Sequence, residues 1–312
     1  MSVPKLRFYF REPTVDTNRP ISEGIVKVEG FDLQVVSQLG DADAWDCGFG
    51  ALMQSKAKGA RYISIPAFPN RKFRLSYIYV NRGAGIESPG DLEGKRVGIL
   101  FWGNTAGVWA RGALQHYCGV NLNRIHWFAR NTEGTESVPG IRIESLARGA
   151  DLDSLLVGGE LDAVIFPDVL PSITRGDPRV CRLFRDYKTE EQAYFKHTGI
   201  FPISHVVTLH EEYVTRHSDA PAALLKAFRQ ARDIAIDNIQ GSDPQVLVVS
   251  WINALMEEQR ALMGENYFAY NIEANRRSLD AMTQYAYEQG LTPKKFDYET
   301  FFAPEAVALP GM

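Results

Sequence analysis

The sequence predicts an α/β protein with two lobes. Three observations support this fold class. Short apolar runs alternate with helical patterns along the first two thirds of the chain, and the last third is helical in pattern. The chain has 312 residues, more than a single hydrophobic core usually serves. Hydrophobic residues make up 45% of the chain, as in ordinary globular proteins.

Strand candidates are short segments rich in β-branched and aromatic residues. The first begins close to the start of the chain, and another ends at Pro66. A polar turn, SPGDLEGKR, leads into a further strand that begins at Val97. In order, the predicted strands are 6–10, 31–36, 62–65, 75–80, 97–100, 161–166 and 204–209.

Helices are predicted between these strands and in the last third. Asn104 or Thr105 would cap the first of them. Asp219 precedes Pro221, which is a helix start signal, and Leu224 and Phe228 then share one face. The predicted helices cover 106–117, 146–157, a segment from 221 onward, 244–263 and 272–289.

The chain is predicted to cross between the lobes twice, near 80 and near 202. Lobe 1 is then discontinuous and consists of 1–80 and 203–312, and lobe 2 consists of 81–202. Open α/β sheets bind ligands where strands end and chain direction switches. We therefore expect a ligand cleft between the lobes.

Bulk properties exclude several functions. The net charge of −4 gives no electrostatic footprint for nucleic acid. No apolar run approaches the roughly 20 residues that span a bilayer, so no membrane partner is expected. The start of the chain shows no apolar export segment, and Cys47, Cys118 and Cys181 have no paired spacing. Both features favour a cytoplasmic protein with reduced thiols.

Common catalytic motifs are absent from the sequence. There is no G-x-G-x-x-G, Walker, H-E-x-x-H or G-x-S-x-G pattern. The six histidines include no pair with clear metal-ligand spacing. Asp16, Asp46 or Asp168 could contribute to a metal site, but no pattern points to one, so none is predicted.

Two segments after predicted strands carry cations suited to an anionic ligand. In the first, Arg19 could pair with a substrate carboxylate and be oriented by Asp16. The alternative is a solvated loop with a local ion pair. The second segment, FPNRKFR (68–74), places Arg71, Lys72 and Arg74 within four positions. Arginine forks match carboxylates, so we predict an anion clamp here, against the alternative of a basic surface turn.

Two further segments complete the candidate site. Asn104 and Thr105 begin a helix whose free backbone N–H groups favour an anion, and Trp102 beside them could stack on an aromatic ring. Ordinary capping and a core tryptophan are the alternatives. His205 opens a strand beside the second lobe crossing. Because imidazole exchanges protons near neutral pH, His205 is the candidate catalytic residue, although single histidines are more often structural.

Several separated stretches resemble one family along nearly the whole chain. FPNRKFR (68–74), TGIFPISH (198–205) and RALMGENYFAY (260–270) are its more specific motifs. SPGDLEGKRVGI (88–99) and LLVGGELDAVI (155–165) occur in all such binding folds. The chain resembles 4,5-dihydroxyphthalate decarboxylase and its relatives. That resemblance implies the type 2 periplasmic-binding-protein fold, with mixed sheets flanked by helices, and a cytoplasmic location.

The resemblance also implies a function. The activity would be non-oxidative removal of CO2 from a hydroxylated aromatic carboxylate, and the expected partner is that small molecule. Arg71 and Arg74 would anchor carboxylates, with Arg19 as a third cation, and His205 would donate the proton or orient the phenol. No organic cofactor is implied, because the ring itself accepts the electron pair. Association of copies into a homo-oligomer is a further expectation.

Three positions depart from the family pattern. Phe49, Ala51 and Leu75 stand where the family usually carries an acidic residue, a hydroxyl residue and a histidine. If these positions face the cleft, the substrate is less polar than 4,5-dihydroxyphthalate or the reaction has changed. The alternative function is a non-catalytic binding protein for an aromatic acid, of the type that supplies ABC transporters.

Overall fold

The protein consists of two β-sheets with helices packed around them. A computed structural model describes residues 3–131, 140–240 and 249–309. The strands are β1 (Lys5–Tyr9), β2 (Asp32–Val35), β3 (Ala44–Gly48), β4 (Tyr62–Ser64), β5 (Ile78–Asn81), β6 (Arg96–Ile99), β7 (His126–Ala129), β8 (Ile143–Ser145), β9 (Ala163–Ile165), β10 (Val180–Arg182) and β11 (His205–His210).

The helices alternate with the strands in the first two thirds and dominate the rest of the described chain. They are α1 (Arg19–Ser22), α2 (Phe49–Ala57), α3 (Thr105–His116), α4 (Leu152–Gly158), α5 (Pro171–Thr174), α6 (Tyr187–Thr198), α7 (Glu211–Arg216), α8 (Ala220–Gln240), α9 (Ile252–Met263), α10 (Arg276–Glu288) and α11 (Pro304–Val307). None of these helices combines the length and apolar character that crossing a bilayer requires.

The first sheet has the strand order β2-β1-β3-β11-β4. Strand β1 runs parallel to β2 and β3, whereas β11 runs antiparallel to β3 and β4. Strand β11 comes more than a hundred residues after β4, yet it lies between β3 and β4. The chain therefore returns to the first sheet after it has built the second, and β11 brings residues of the late segment beside β3.

The second sheet has the order β10-β5-β9-β6-β7-β8. Strands β9, β6, β7 and β8 are parallel, and β5 is antiparallel to both β9 and β10. The α/β fold class with mixed sheets flanked by helices is thereby confirmed. The exact lobe boundaries, 1–80 with 203–312 and 81–202, stay a prediction. Strand β5, which belongs to the second sheet, spans the predicted boundary at residue 80.

Several elements differ from the sequence prediction. Strand β3 was not predicted because its residues Ala44 to Cys47 are all buried and include Asp46, so no apolar–polar alternation marks it. A 3-10 turn, Leu75–Tyr77, replaces the beginning of the predicted strand 75–80. Strands β7, β8 and β10 and helices α2 and α6 were also not predicted.

Three predicted helices begin later than expected. Helix α10 begins at Arg276 and not at 272, because the 3-10 turn Glu273–Asn275 precedes it. Helix α4 begins at Leu152 because the Asp151 side chain caps it, accepting hydrogen bonds from the backbone N–H groups of Asp153 and Ser154. The predicted helix 146–157 was therefore wrong in its first turn and a half. Helix α9 begins at Ile252, whereas residues 244–248 of the predicted helix 244–263 lie outside the described residues.

Helices α3 and α10 join the two parts of the chain in a close contact. Gly112 lies so near Tyr285 that a Cβ there would be 2.1 Å from Cδ2 of that ring. The buried Gln289 side chain accepts a hydrogen bond from Arg111 Nε at 2.8 Å and donates one to the Val108 carbonyl at 3.0 Å. These contacts place a helix from predicted lobe 2 directly on one from predicted lobe 1.

Candidate active site

A buried carboxylate and a histidine lie side by side at one end of the first sheet. Strands β3 and β11 are antiparallel neighbours, and Val207 pairs with Asp46 while His205 pairs with Gly48. Asp46 Oδ2 lies 3.3 Å from His205 Nδ1. Asp46 is 1% exposed, and His205 is 9% exposed. The tertiary structure thus pairs the predicted catalytic histidine with a carboxylate.

The loop after β1 also binds Asp46. The backbone N–H of Arg11 donates to Oδ1, and Asn18 Nδ2 donates to Oδ2 at 3.3 Å. Asn18 is fully buried and donates from the same amide group to the Glu12 carbonyl. Sequence reasoning named Asp46 only as a conceivable metal ligand. A buried aspartate in an otherwise apolar run, WDC, was the signal that could have marked it as a site residue.

The predicted anion clamp, 68–74, lies directly beside His205. The Asn70 carbonyl accepts from the backbone N–H groups of Ser204 and His205, at 2.8 and 3.1 Å. Arg74 Nη2 donates to Ser204 Oγ at 2.6 Å, and Arg74 Nη1 donates to the Pro167 carbonyl at 3.1 Å. One guanidinium therefore joins the residue before His205 to the loop after β9 of the second sheet.

Arg74 is a buried cation that no carboxylate contacts directly in the described part of the chain. No carboxylate there lies within ion-pair distance of it, and its Nε has no hydrogen-bond partner. Burial lowers the pKa of Arg74, although Tyr77 and Asp168 nearby favour the charged form. An uncompensated buried guanidinium costs free energy, and a bound anion would offset that cost.

Arg71 occupies an aromatic enclosure. Its guanidinium lies 4.3 Å from the ring centre of Phe201 and 5.7 Å from that of Phe268, and Nη2 donates to the Phe201 carbonyl at 2.7 Å. Burial lowers the pKa of Arg71 to about 9, while the nearby Tyr270 hydroxyl acts in the opposite direction. The structure thus buries both predicted clamp arginines, but only Arg74 contacts the residue next to the histidine.

Glu12 is a second carboxylate at this site that sequence reasoning did not single out. Its Oε2 accepts a hydrogen bond from Asn70 Nδ2 at 2.5 Å, and its charge favours the protonated form of Arg74. Glu12 is partly exposed, in contrast to the buried Asp46. The arrangement therefore combines a cation, an exchangeable imidazole and an accessible carboxylate within one hydrogen-bonded group.

Arg19 and Asp16 lie away from this group. Arg19 is exposed, and its Nε lies 3.6 Å from the Glu23 carboxylate at the next turn of α1. Asp16 is also exposed and accepts a hydrogen bond from the backbone N–H of Thr17. Arg19 and Asp16 do not contact each other in the described chain, so the expected orientation of Arg19 by Asp16 is absent from this structure, and a role of either residue in substrate binding stays a prediction. The structure favours the alternative of a solvated loop with a local ion pair.

Trp102 belongs to the core. Its side chain is fully buried, its Nε1 donates to the Gln289 carbonyl at 2.7 Å, and the Arg111 guanidinium covers its ring at 3.8 Å. Trp127 packs edge-on against the same ring. A stacking role for Trp102 toward a ligand is therefore wrong, because protein atoms occupy the contact surface that stacking requires.

Asn104 and Thr105 act within the protein as capping and bridging residues. Asn104 caps α3 by accepting from the Gly107 N–H at 3.2 Å. Thr105 Oγ1 accepts from the Gly50 N–H at 3.0 Å and so ties α3 to α2. These bonds match the alternative of ordinary capping. A role of either residue in substrate binding stays a prediction.

The three positions that depart from the family pattern do not strip the site of polar groups. Phe49 is fully buried and Leu75 nearly so, both within the hydrophobic core, and Ala51 is exposed. The polar groups of the site come from Glu12 and Asp46 as well as from 68–74 and 204–205. A less polar substrate therefore does not follow from these three residues.

Comparison with known proteins identifies the family. No family model matches the chain. A 4,5-dihydroxyphthalate decarboxylase from Comamonas testosteroni is 27% identical across 323 aligned residues, which cover 97% of this chain and 98% of that protein. One from Pseudomonas putida is 32% identical over 188 residues, which cover 54% of this chain and 73% of that protein. The chain belongs to the 4,5-dihydroxyphthalate decarboxylase family. The family predicted from the sequence is thus confirmed.

Similarity to solved structures identifies the fold of this chain. The periplasmic aliphatic sulphonate binding protein SsuA from Escherichia coli superimposes with a TM-score of 0.59 at 16% identity, covering 98% of this chain and 99% of that one. The desulfurization enzyme DSZB superimposes with a TM-score of 0.56 at 15% identity, and 97% of each chain is covered. The predicted periplasmic-binding-protein fold is confirmed, and at these identities the likeness concerns the fold alone.

Proposed function

We propose that this protein is a carboxy-lyase that releases CO2 from a hydroxylated aromatic carboxylate, with 4,5-dihydroxyphthalate as the first candidate substrate. Membership of the family supports the reaction, because both curated relatives carry that activity in their names. The observation that carries the proposal is the buried Arg74, which has no carboxylate within ion-pair distance among the described residues and is bonded to Ser204 beside His205. A cation and a proton donor in adjacent positions suit a carboxylate that must leave as CO2.

Arg74 binds a substrate carboxylate in this proposal. Its Nε has no protein partner in the described part of the chain, and its two Nη groups contact only neutral oxygens, those of Ser204 and Pro167. A carboxylate would replace these neutral oxygens with charged acceptors, and a bidentate guanidinium–carboxylate pair adds geometric specificity as well as energy. Arg71 is the candidate for the second carboxylate of a phthalate, because it is also buried and has no carboxylate within ion-pair distance among the described residues.

His205 supplies the proton. Its Nε2 delivers a proton to the ring carbon that bears the departing carboxylate. The bond from that carbon to the carboxylate carbon then breaks, its electron pair returns to the ring, and CO2 leaves. A para hydroxyl group supplies electron density for the protonation. Glu12, partly exposed beside Asn70, is placed to accept a hydrogen bond from such a hydroxyl.

The test is turnover across a panel of hydroxylated benzoates and phthalates, followed by CO2 release and ring absorbance. We expect CO2 release with 4,5-dihydroxyphthalate and a loss on the order of 10²- to 10⁴-fold in kcat for His205→Gln. Binding to the wild type without turnover of any panel member would favour the alternative, an aromatic-acid binding protein. Unchanged turnover in His205→Gln would remove the histidine from the reaction.

A cytoplasmic location is part of the same proposal. Cys47 and Cys181 are buried, Cys118 is partly buried, and all three are free thiols. Burial raises the pKa of the Cys47 and Cys118 thiols to about 11, so both stay protonated at neutral pH. Fractionation of cells with an antibody against the protein tests the location. Self-association stays a prediction, which light scattering at several protein concentrations tests.

A further inference from the structure

Asp46 is a buried carboxylate to which the proposed reaction mechanism assigns no role. It does not reach the substrate directly, because its carboxylate is enclosed by protein. No Lys or Arg side chain of the described residues lies within ion-pair distance of it; His205 alone does. A buried carboxylate is expensive unless its oxygens are hydrogen-bonded. The groups that donate hydrogen bonds to the Asp46 carboxylate therefore indicate its role.

Three donors from two chain segments, the loop after β1 and strand β11, fix the Asp46 carboxylate. The Arg11 N–H donates to Oδ1, whereas Asn18 Nδ2 and His205 Nδ1 both lie 3.3 Å from Oδ2. An ionised carboxylate can only accept hydrogen bonds. His205 Nδ1 must therefore carry a hydrogen toward Asp46, and Nε2 is left as the nitrogen whose proton can exchange with a ligand.

The backbone around His205 is held as firmly as its ring. The His205 N–H donates to the Asn70 carbonyl at 3.1 Å, and β11 pairs with β3 along five residue pairs. In the described part of the chain, Nε2 has no hydrogen-bond partner, and 11% of the side chain is exposed. The ring is thus anchored at its backbone and at Nδ1, with Nε2 directed elsewhere.

We propose that Asp46 is a positioning residue that fixes the tautomer and orientation of His205, so that Nε2 handles the proton of the reaction. The catalytic part of this inference rests on the proposed function, since it requires His205 to be the proton donor. The tautomer itself follows from geometry alone and can be measured without a substrate.

Asp46→Asn reverses the direction of the hydrogen bond to His205 Nδ1, and the shape of the side chain at position 46 stays nearly the same. The Arg11 N–H can only donate, and it bonds Oδ1 more closely than Asn18 Nδ2 bonds Oδ2, so the amide oxygen of the new side chain takes the Oδ1 position and Asn18 loses its bond to this residue. The amide NH2 then occupies the Oδ2 position and donates toward His205 Nδ1. Neutral His205 must accept there and carries its hydrogen on Nε2 instead. Donation from Nε2 in the wild type requires a ring protonated on both nitrogens, and the Asp46 carboxylate accepts from Nδ1 of that ring. The amide NH2 of the variant cannot accept from Nδ1, so Asp46→Asn disfavours the doubly protonated ring that donates the proton.

The experiment combines ¹⁵N NMR of histidine-labelled protein with steady-state kinetics. In the neutral ring, which the ¹⁵N chemical shifts identify, we expect hydrogen on Nδ1 of His205 in the wild type and on Nε2 in Asp46→Asn. His205→Gln identifies the resonance. With substrate, Asp46→Asn should lower kcat on the order of 10²- to 10⁴-fold and change KM less than about threefold.

Asp43→Asn is the matched control. It removes another buried carboxylate next to β3, one that pairs with Arg7 and does not contact His205. Its His205 tautomer and kcat should equal those of the wild type. Hydrogen on Nε2 in the wild type would overturn the inference even if Asp46→Asn does not fold. So would an unchanged kcat in folded Asp46→Asn. Failure of the wild type to release CO2 would instead refute the proposed function. The tautomer measurement alone would then test whether Asp46 fixes the His205 ring.

Discussion

Replacing Arg74 by lysine tests the centre of the proposed site. The substitution keeps the positive charge but removes the planar fork. Arg74 Nη1 and Nη2 contact Pro167 and Ser204 simultaneously, and a single ammonium cannot occupy both positions. A carboxylate held by the fork in two parallel hydrogen bonds would keep one of them in Arg74→Lys.

The structure sets the size of the expected effect. Arg74 is buried, so solvent screens its bonds little. A hydrogen bond between charged groups contributes about 2 kcal/mol, so loss of one bond should lower kcat/KM roughly 30-fold. We expect most of the fall in kcat/KM to come from a higher KM, because the guanidinium binds the carboxylate of the substrate in the ground state as well as in the transition state.

The assay is CO2 release at increasing substrate concentration, with Arg111→Lys as the matched control. Arg111 is also fully buried without a carboxylate partner in the described residues, and burial lowers its pKa to about 9. It lies against Trp102 and Gln289, at the α3–α10 contact. Arg111→Lys should lower the free energy of unfolding and leave KM unchanged. Equal KM values for wild type and Arg74→Lys would refute the carboxylate site.

Three further predictions concern stability. Gly112→Ala should lower the free energy of unfolding by about 2 kcal/mol or more in urea titrations, because the new Cβ would lie 2.1 Å from Tyr285; a stable variant would contradict the close contact. Trp102→Phe should cost about 1–2 kcal/mol through its lost hydrogen bond and leave KM unchanged, whereas a raised KM would restore a ligand role. Burial raises the pKa of Asp43, but hydrogen bonds from Arg7 outweigh it and hold the pKa below its ordinary value. That stabilisation is therefore present above the ordinary carboxyl pKa and disappears as the pH falls through the lowered one. The deficit of Asp43→Asn, about 1 kcal/mol at neutral pH, should shrink below about pH 4, and a constant deficit would refute the linkage.

Much of the fold and part of the site could be predicted from residues alone. Strands such as β1, β4 and β11 have local composition that marks them, and the motif at 68–74 identified Arg74 because three cations after a strand are unusual. The strand β3 escaped prediction because burial on both faces removes the alternation that marks a strand. Trp102 was misjudged because the contacts of its ring depend on neighbours far along the chain, and the exposure of Arg19 likewise follows from the tertiary structure and not from local sequence.

The sequence by itself determined the α/β class and the family, since local patterns and ordered motifs carry that information, and it singled out Arg71, Arg74 and His205 as candidate site residues. Only the tertiary structure decided that Asp46, 159 residues before His205, is its partner. It also decided that Trp102 is a core residue and that Arg19 is exposed. The reason is the topology of the first sheet. Strand β11 returns to lie beside β3, and the pairing of two side chains on adjacent strands depends on register and not on separation along the chain.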